Sequence, residues 1–475
     1  MKKSLLLYFS FLIIPGLFGQ AYQLDPVEMD SQLVAQANNV VSEIKIIGNK
    51  LTKDYIILRE MTFNVGDTLE NEVFVQELEQ SKKNILNTSL FNFTKMELAY
   101  SDSIHVVVYI QVVERWYIFP IPIFEIDDNN FNTWWQDRDL SRINYGMNVI
   151  HRNVRGRKER LGVMAKFGFS ERLRLTYSIP YINKQRRSGM SFGLSYNRKD
   201  EIVYTTFRNK RLLYKNEDRD AIRNLSAGVT YSYRKKIFEW HSVGIEFDYN
   251  SIVDSVRILN PEYLGDNKQK SQFFSLTYAY TNDRRDSRNY PLKGSLFNVN
   301  IKKFGLGINS SPVDLLNLQL QYRKYIPLKE RIYAAASFRG VLAANDNQPY
   351  LLRNGLGYNS FMIRSYELFV IDGQNIALGK AQVRYQLVKP RDWDIQFMPQ
   401  QFGKFHFAMY VGIFADAAYV EDQFGYPDNN LANELQYGSG IGIDFVTYYD
   451  FVLRTEFSMN KFGQSGLFFH FVAPI

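Results

Sequence analysis

The chain contains no cysteine. That absence removes disulfide scaffolds, zinc ribbons and thiol nucleophiles as explanations of fold or function. Histidine is scarce too, and the five present, His105, His151, His241, His406 and His470, sit in different segments with no metal-ligand spacing. There is no GxSxG elbow, phosphate-binding loop or GxGxxG opening a helix. An enzyme is therefore not expected, and neither is a metal or cofactor. After the first twenty residues no apolar run is long enough to cross a bilayer as a helix, and mean hydropathy is −0.28.

Aromatics are abundant: 32 Tyr and 36 Phe, against only 14 Pro. A hydrophobic fraction of 45% in 475 residues supplies enough apolar surface to offset the entropy of ordering, which excludes wholesale disorder. The net charge of +8 is spread along the chain rather than gathered into one basic face, so nucleic acid is not an expected partner. Export is expected. Met1-Lys2-Lys3 is followed by an apolar core from Leu5 to Phe18 and by Gly19, the pattern of a signal peptide over residues 1–19. Residues 20–40 are polar and without period and read as a flexible lead-in.

From Val41 the pattern changes. A short apolar run to Ile47 ends at the turn pair Gly48-Asn49, and a helix is predicted over Lys53 to Met61 with Thr52 as its N-cap. A second helix is predicted from about Asn71 to Asn87, with Val73, Phe74, Leu78, Ile85 and Leu86 near one face. Two alternating strands, Lys95 to Tyr100 and Ile104 to Val113, complete a small α+β unit over residues 41–115. Together with the run Ile44 to Met61 and the later Ser89 to Leu98, this order resembles a polypeptide-transport-associated (POTRA) domain. The residues that carry the match are Gly48, Asn49, Thr52, Arg59 and Glu60.

Beyond about Leu140 the helical period disappears and a period of two takes over. Asn317, Gln319, Gln321 and Arg323 alternate with Leu318, Leu320 and Tyr322. Lys380, Gln382, Arg384 and Gln386 alternate with Ala381, Val383, Tyr385 and Leu387. Leu453, Phe457 and Met459 oppose Arg454, Glu456 and Ser458, and Arg172 and Arg174 oppose Leu173 and Leu175. A soluble sandwich also alternates. Strand lengths of ~9–11 residues, Tyr at strand ends and unequal connections favour an all-β transmembrane barrel over residues 140–475. Short turns such as Gly168 to Glu171 contrast with long stretches such as Arg257 to Lys270 or Asp422 to Asn433. About 16 antiparallel strands are expected, an even number because a single-chain barrel must close. One is expected to begin near 201, and the first and last near Ile143 and Phe471.

The longest connection, Ala343 to Asp372, contains Ile363-Arg364-Ser365-Tyr366-Glu367. This tip resembles the VRG[FY]-like loop of the outer-membrane assembly-factor and two-partner-secretion superfamily, also called the bacterial surface antigen family, with Ser365 where glycine is usual. Phe414-Ala415-Asp416-Ala417-Ala418 resembles that family's F-x-D-x-G wall motif, with Ala418 where glycine is usual. Asp283, Arg285, Pro291 and Gly294 match its D-x-R-x-x-x-x-x-P-x-x-G turn, and Leu467, Phe469 and Phe471 match its C-terminal strand signal. The resemblance implies that Ile363, Arg364, Tyr366, Phe414 and Asp416 lock the loop in the lumen; a guanidinium in a partly dry site needs a carboxylate that fits its fork.

It further implies a bacterial outer-membrane barrel with its POTRA domain in the periplasm, inserting or translocating polypeptides without covalent chemistry. The expected partners are outer-membrane lipid, unfolded polypeptide clients taken by β-augmentation, and periplasmic accessory proteins. The alternatives are a passive porin-like channel with a docking domain and a lipid-export barrel.

Overall fold

The computed structural model describes residues 38–126, 142–216, 220–308, 313–344, 348–358, 361–394, 404–423, 428–447 and 452–471. The expected signal peptide lies outside the described residues. Of the expected lead-in, residues 20–37 also lie outside the described residues, and residues 38–40 are strand. Strand β1, Asn38–Ile47, already begins at Asn38. Helix α1, Asp54–Leu58, is shorter than the sequence predicts, and its N-cap position is Lys53. Thr52 is not the cap, because tertiary partners take its hydroxyl: it shares a 2.8 Å hydrogen bond with the Tyr117 hydroxyl and accepts one of 2.9 Å from Asn153 Nδ2.

A three-residue strand β2, Thr68–Glu70, pairs with Asn38 to Val40 and leads directly into α2, Asn71–Asn87. The 3.6-residue period of α2 buries Phe74 and Ile85 and leaves Val73 exposed. Strands β3, Phe91–Tyr100, and β4, His105–Glu114, complete a sheet of order β2-β1-β4-β3 in which β1 and β4 run parallel. Val106, Val108, Ile110 and Val112 alternate inward from β4 onto Ile56, Ile57, Phe74 and Ile85. Each such side chain contributes roughly 1.5–3 kcal/mol of burial.

The second unit is one antiparallel sheet of sixteen strands. It begins with β5, Ile118–Ile126, then β6, Ile143–Val154, β7, Glu159–Gly168, β8, Ser170–Ile179, and β9, Ser188–Lys199. The barrel therefore starts upstream of residue 140. Two prolines in nine residues argue against a strand when read as sequence, and an edge position is where a sheet tolerates them. Strands β10, Glu201–Phe207, and β11, Lys210–Lys215, form a separate hairpin, so the strand expected near 201 is not part of the barrel wall. The one missed strand and the one misplaced strand offset each other in the count.

The wall continues through β12, Ile222–Lys236, and β13, Glu239–Ile252, then passes helix α3, Asp254–Leu259. It resumes with β14, Lys270–Asp283, β15, Gly294–Phe304, β16, Leu315–Lys329, and β17, Ile332–Ala344. Short strands β18, Asn354–Leu356, and β19, Ile371–Gly373, pair with each other inside the long connection. The wall ends with β20, Asn375–Asp394, β21, Lys404–Glu421, β22, Leu435–Thr447, β23, Val452–Asn460, and β24, Ser465–Phe471.

Burial along these strands is inverted relative to a soluble protein. Arg384, Asp444, Arg454 and Glu456 are buried, whereas Leu173, Leu194, Val243, Ile413, Phe457 and Met459 are exposed. An apolar exterior around a polar interior is what hydrocarbon selects. The sheet also curls on itself: the Tyr290 hydroxyl, on the β14–β15 connection, donates a 2.7 Å hydrogen bond to Asp444 of β22, five strands along the order.

Alternate connections fall on opposite rims. The β7–β8 turn at Phe169 shares a rim with the long β13–β14 and β21–β22 connections, so Gly168 to Glu171 is a short turn on the long-loop side. The N-terminal unit docks on the other rim. The Lys53 N–H donates to the Gly156 carbonyl at 3.0 Å, Arg186 lies over the Tyr55 ring at 4.2 Å, and Arg59 lies over Tyr181 at 4.3 Å. Arg234 at the end of β12 donates to both oxygens of Glu60, at 2.8 and 2.7 Å, and Lys158 stands 3.6 Å away.

Burial alone would push the Glu60 carboxyl up, but the charges of Lys158, Arg234 and Arg59, with the Arg234 hydrogen bonds, hold it at about 2. A carboxylate depressed in this way strengthens the joint above its unfolded pKa of ~4.3 and loses that contribution as pH falls towards 2. Proteolysis of the segment joining the two units should be unchanged from pH 8 to 5 and should accelerate below pH 4. Glu60→Ala, which strands Arg234, should weaken docking by about 3 kcal/mol and produce the fast cleavage already at pH 7.

Candidate functional site

The connection from β17 to β20 turns back into the barrel and packs against β20, β21, β22 and β23. Ile363 anchors it. Its side chain is buried with Val341, Leu356, Ile371, Ile376, Leu378, Ala418 and Val420. Arg364 follows, 5% exposed, with its guanidinium aimed at Asp416 of β21. Nε donates to Oδ2 at 2.9 Å, Nη2 to Oδ1 at 2.5 Å, and the Arg364 backbone N–H also donates to Oδ2 at 3.0 Å. Nη1 reaches Gln382 Oε1 at 3.2 Å and Glu456 Oε1 at 3.5 Å, while Phe414 lies under the guanidinium at 3.8 Å. Lys380 Nζ stands 3.7 Å from Asp416 Oδ2. A single arginine thus meets acceptors from β20, β21 and β23 and an aromatic face, which is how a buried guanidinium is made tolerable.

Tyr366 holds the far side of the tip. It donates from its hydroxyl to Gln436 Oε1 at 3.1 Å and the Tyr437 carbonyl at 3.3 Å. The five residues singled out by sequence, three on the loop and two on β21, therefore converge, and the register explains how. Strands β20 and β21 pair Gln382 with Phe414 and Lys380 with Asp416, so alternate residues of both strands face the same lumen patch.

Several partners carry no sequence signal beyond alternation. Glu456 lies 3.4 Å from His470 Nε2 on β24 and 3.7 Å from Arg454. Arg454 pairs with Asp444 at 2.6 Å, and Asp444 accepts from Tyr290 and lies 3.4 Å from Arg384. A continuous charged row thus runs from the loop tip to the turn that bears Asp283, Arg285, Pro291 and Gly294. Nearer the long-loop rim, Asp372 accepts from Thr206 Oγ1 and the Tyr358 hydroxyl, each at 2.6 Å. Burial raises the Asp372 carboxyl above its ordinary range despite those bonds.

The remaining sequence-selected residues do not join this site. Gly48 has φ +97°, where a Cβ would strike the Val112 carbonyl oxygen, and Asn49 Nδ2 donates to the Thr52 carbonyl at 3.0 Å. Thr52, Arg59 and Glu60 make the docking joint. Leu467 and Phe469 point outward from β24, and the Phe471 side chain lies outside the described residues.

Taken together, the arrangement is a transmembrane β-barrel whose β17–β20 connection folds back against the inner wall, preceded by a POTRA domain. Sequence comparison agrees: an Omp85 superfamily domain matches residues 153–383, and a POTRA domain, described as a surface antigen variable number repeat, matches residues 39–115. The chain thus carries an Omp85 superfamily domain behind a POTRA domain. Among solved structures it resembles BamA from Haemophilus ducreyi lacking POTRA domains 1–3, at 15% identity and TM-score 0.52 over 92% of this chain and 84% of that one. It also resembles CdiB from Escherichia coli, at 10% identity and TM-score 0.53 over 91% of this chain and 76% of that one. At such identities the likeness is one of fold. No curated protein matches the sequence.

Ser365 departs from the family's glycine, and its backbone shows the consequence, with φ at +80° in the left-handed region. Opposite it, a Cβ at Gly438 would collide with Ser365 Oγ. Ser365→Gly should stabilise the folded barrel by about 1 kcal/mol, and Gly438→Ala should destabilise it by a similar amount or more, since the tip must retreat. The temperature at which the purified protein loses its heat-modifiable gel mobility reads both.

Proposed function

We propose that this protein inserts polypeptides into the outer membrane or translocates them across it, by a non-covalent mechanism in which the Arg364–Asp416 pair holds the loop as the lumen plug. The observation that carries the reading is the site around Arg364: a buried guanidinium bound by three wall strands ties the loop tip to the inner face of the barrel. Such a plug is at odds with a passive pore, whose lumen must stay open to solute.

In this reading the POTRA domain faces the periplasm and receives an unfolded client by β-augmentation. The main-chain hydrogen bonds are indifferent to client sequence. The buried joint at Glu60 and Arg234 then keeps the receiving sheet at the mouth of the barrel. Support comes also from the family, whose solved members include BamA and CdiB.

Depletion of the protein followed by a census of outer-membrane and surface proteins tests the class of cargo. Loss of specific polypeptides is expected, and a change in lipid asymmetry with no such loss would overturn the reading. For the plug, Arg364→Ala should abolish client handling while leaving the barrel folded, and should raise steady conductance in planar bilayers. Breaking the pair from one side should cost about 3 kcal/mol, and removing both partners less than the sum, as for any buried ion pair. A conductance that is already large and unchanged in Arg364→Ala would instead identify a porin-like channel.

A further inference from the structure

On the lipid side of β16 one cation stands among apolar side chains. Tyr322 and Ile326 are exposed hydrophobics, and Lys324, which lies between them on the same face of the strand, is exposed as well. It makes no ion pair and no hydrogen bond among the described residues. A lysine on the lipid face is costly at the bilayer midplane and tolerated near the interface. Here Ile326 and then the exposed Leu328 separate it from the POTRA-side rim, so its stem has to lean past apolar neighbours to reach an anion.

The wall beside Lys324 is hollow. Two adjoining depressions of about 430 and 460 Å³ share Ala381 and Ala415, and Lys324 lines the first of them. Strand register makes them a single row, because Lys324 stands opposite Ala336, Ala336 opposite Ala381, Ala381 opposite Ala415, and Ala415 opposite Ser439. Larger side chains bound the row, with Tyr322, Phe338 and Tyr437 towards the long-loop rim and Ile326, Val383 and Ile413 towards the POTRA side. At ~4.8 Å between strands the row is roughly 19 Å long, more than the ~15 Å that one leaflet contributes to a ~30 Å hydrocarbon core. It also climbs. Lys324 lies nearer the POTRA-side end of β16, at Lys329, whereas Ser439 lies nearer the opposite end of β22, at Leu435. The cationic end of the row is therefore close to the headgroups of the POTRA-side leaflet, and its alanine end lies in hydrocarbon.

We propose that this hollow binds one anionic phospholipid of the POTRA-side leaflet, with the headgroup phosphate on Lys324 and one acyl chain along Ala336, Ala381, Ala415 and Ser439. Small side chains on a lipid-facing wall forfeit dispersion contacts unless a chain settles against them. Charge selects the class of headgroup: a lysine without a carboxylate favours net negative charge over a zwitterion, whose own cation competes for the phosphate. The rim below adds to that field, since Lys329 and Arg331 flank Glu330, which Lys389 already pairs at 2.8 Å. Ala381 and Ala415 lie between the residues of β20 and β21 that face the lumen, so the lipid site is back to back with the Arg364 network. The inference requires a barrel that spans a membrane and does not depend on its cargo.

Native mass spectrometry of the full chain, released from detergent after titration with dioleoyl phosphatidylglycerol or dioleoyl phosphatidylcholine, tests the site. One phosphatidylglycerol should be retained under activation that strips phosphatidylcholine. Lys324→Gln should lower the affinity for phosphatidylglycerol about tenfold, the effect of one lost charge-assisted hydrogen bond, while Lys236→Gln, on the same rim four strands away, should not. Ala381→Phe and Ala415→Phe, which fill the row and leave the charge, should each abolish retention, with heat-modifiable gel mobility showing that the variants are folded. Inorganic phosphate should not displace the lipid, because the acyl chain is part of the ligand. Equal retention of the two lipids, retention unchanged in Lys324→Gln or in both phenylalanine variants, displacement by inorganic phosphate, or a dimer that forms through this face in place of bound lipid would each overturn the proposal.

Discussion

Hydrocarbon leaves no backbone amide without a partner, and that constraint organises this molecule. With no helix among the described residues long and apolar enough to cross a bilayer, the chain meets it with sixteen antiparallel strands, each paired to its neighbours in the sheet. The inverted burial follows. Aromatic and aliphatic side chains that would form the core of a soluble protein face outward, and arginines and carboxylates face in. Among the described residues only the outer edges of the two end strands, β5 and β24, carry no ladder partner.

The interior carries the opposite problem. Charges withdrawn from water cost several kcal/mol each unless partners surround them, so the lumen is organised as a network rather than as isolated pairs. Arg364, Asp416, Glu456, Arg454, Asp444, Arg384 and Tyr290 follow one another along the wall formed by β20 to β23. Small residues make the approach possible: Gly438 leaves room for the loop tip, and a Cβ at Gly440 would meet Phe414 and the Phe457 carbonyl oxygen. The loop is held at more than one place: its tip bonds the wall of β20 to β23, and nearer the rim the Val370 N–H donates to the Asn209 carbonyl at 2.9 Å and Asp372 accepts from Thr206.

Much of this was legible in the primary structure because it depends on period and local motif. Alternation along Asn317 to Arg323 and Lys380 to Leu387 marks the wall strands. The loop tip and the wall motif are recognisable from Ile363, Arg364, Tyr366, Phe414 and Asp416. Helix α2 spans the residues its apolar spacing predicts. The first barrel strand was illegible because Pro120 and Pro122 signal against a strand unless the chain is known to lie at a sheet edge. Glu201 to Phe207 misled for the complementary reason: a strand in a surface hairpin has the same period as a strand in the wall. Thr52 read as a helix cap, since nothing local reveals that Tyr117 and Asn153 compete for its hydroxyl.

The sequence by itself determined the class of structure: aromatic-rich alternation with no cysteine and no apolar helix specifies a β-barrel held by hydrogen bonds, and the POTRA-like order specifies the domain before it. Only the tertiary structure decided which charges meet. Glu60 and Arg234 lie 174 positions apart, and Asp416 and Arg364 lie 52 apart. Side-chain period states which face a residue occupies, but the curl of the sheet and the return of the loop determine what stands opposite it.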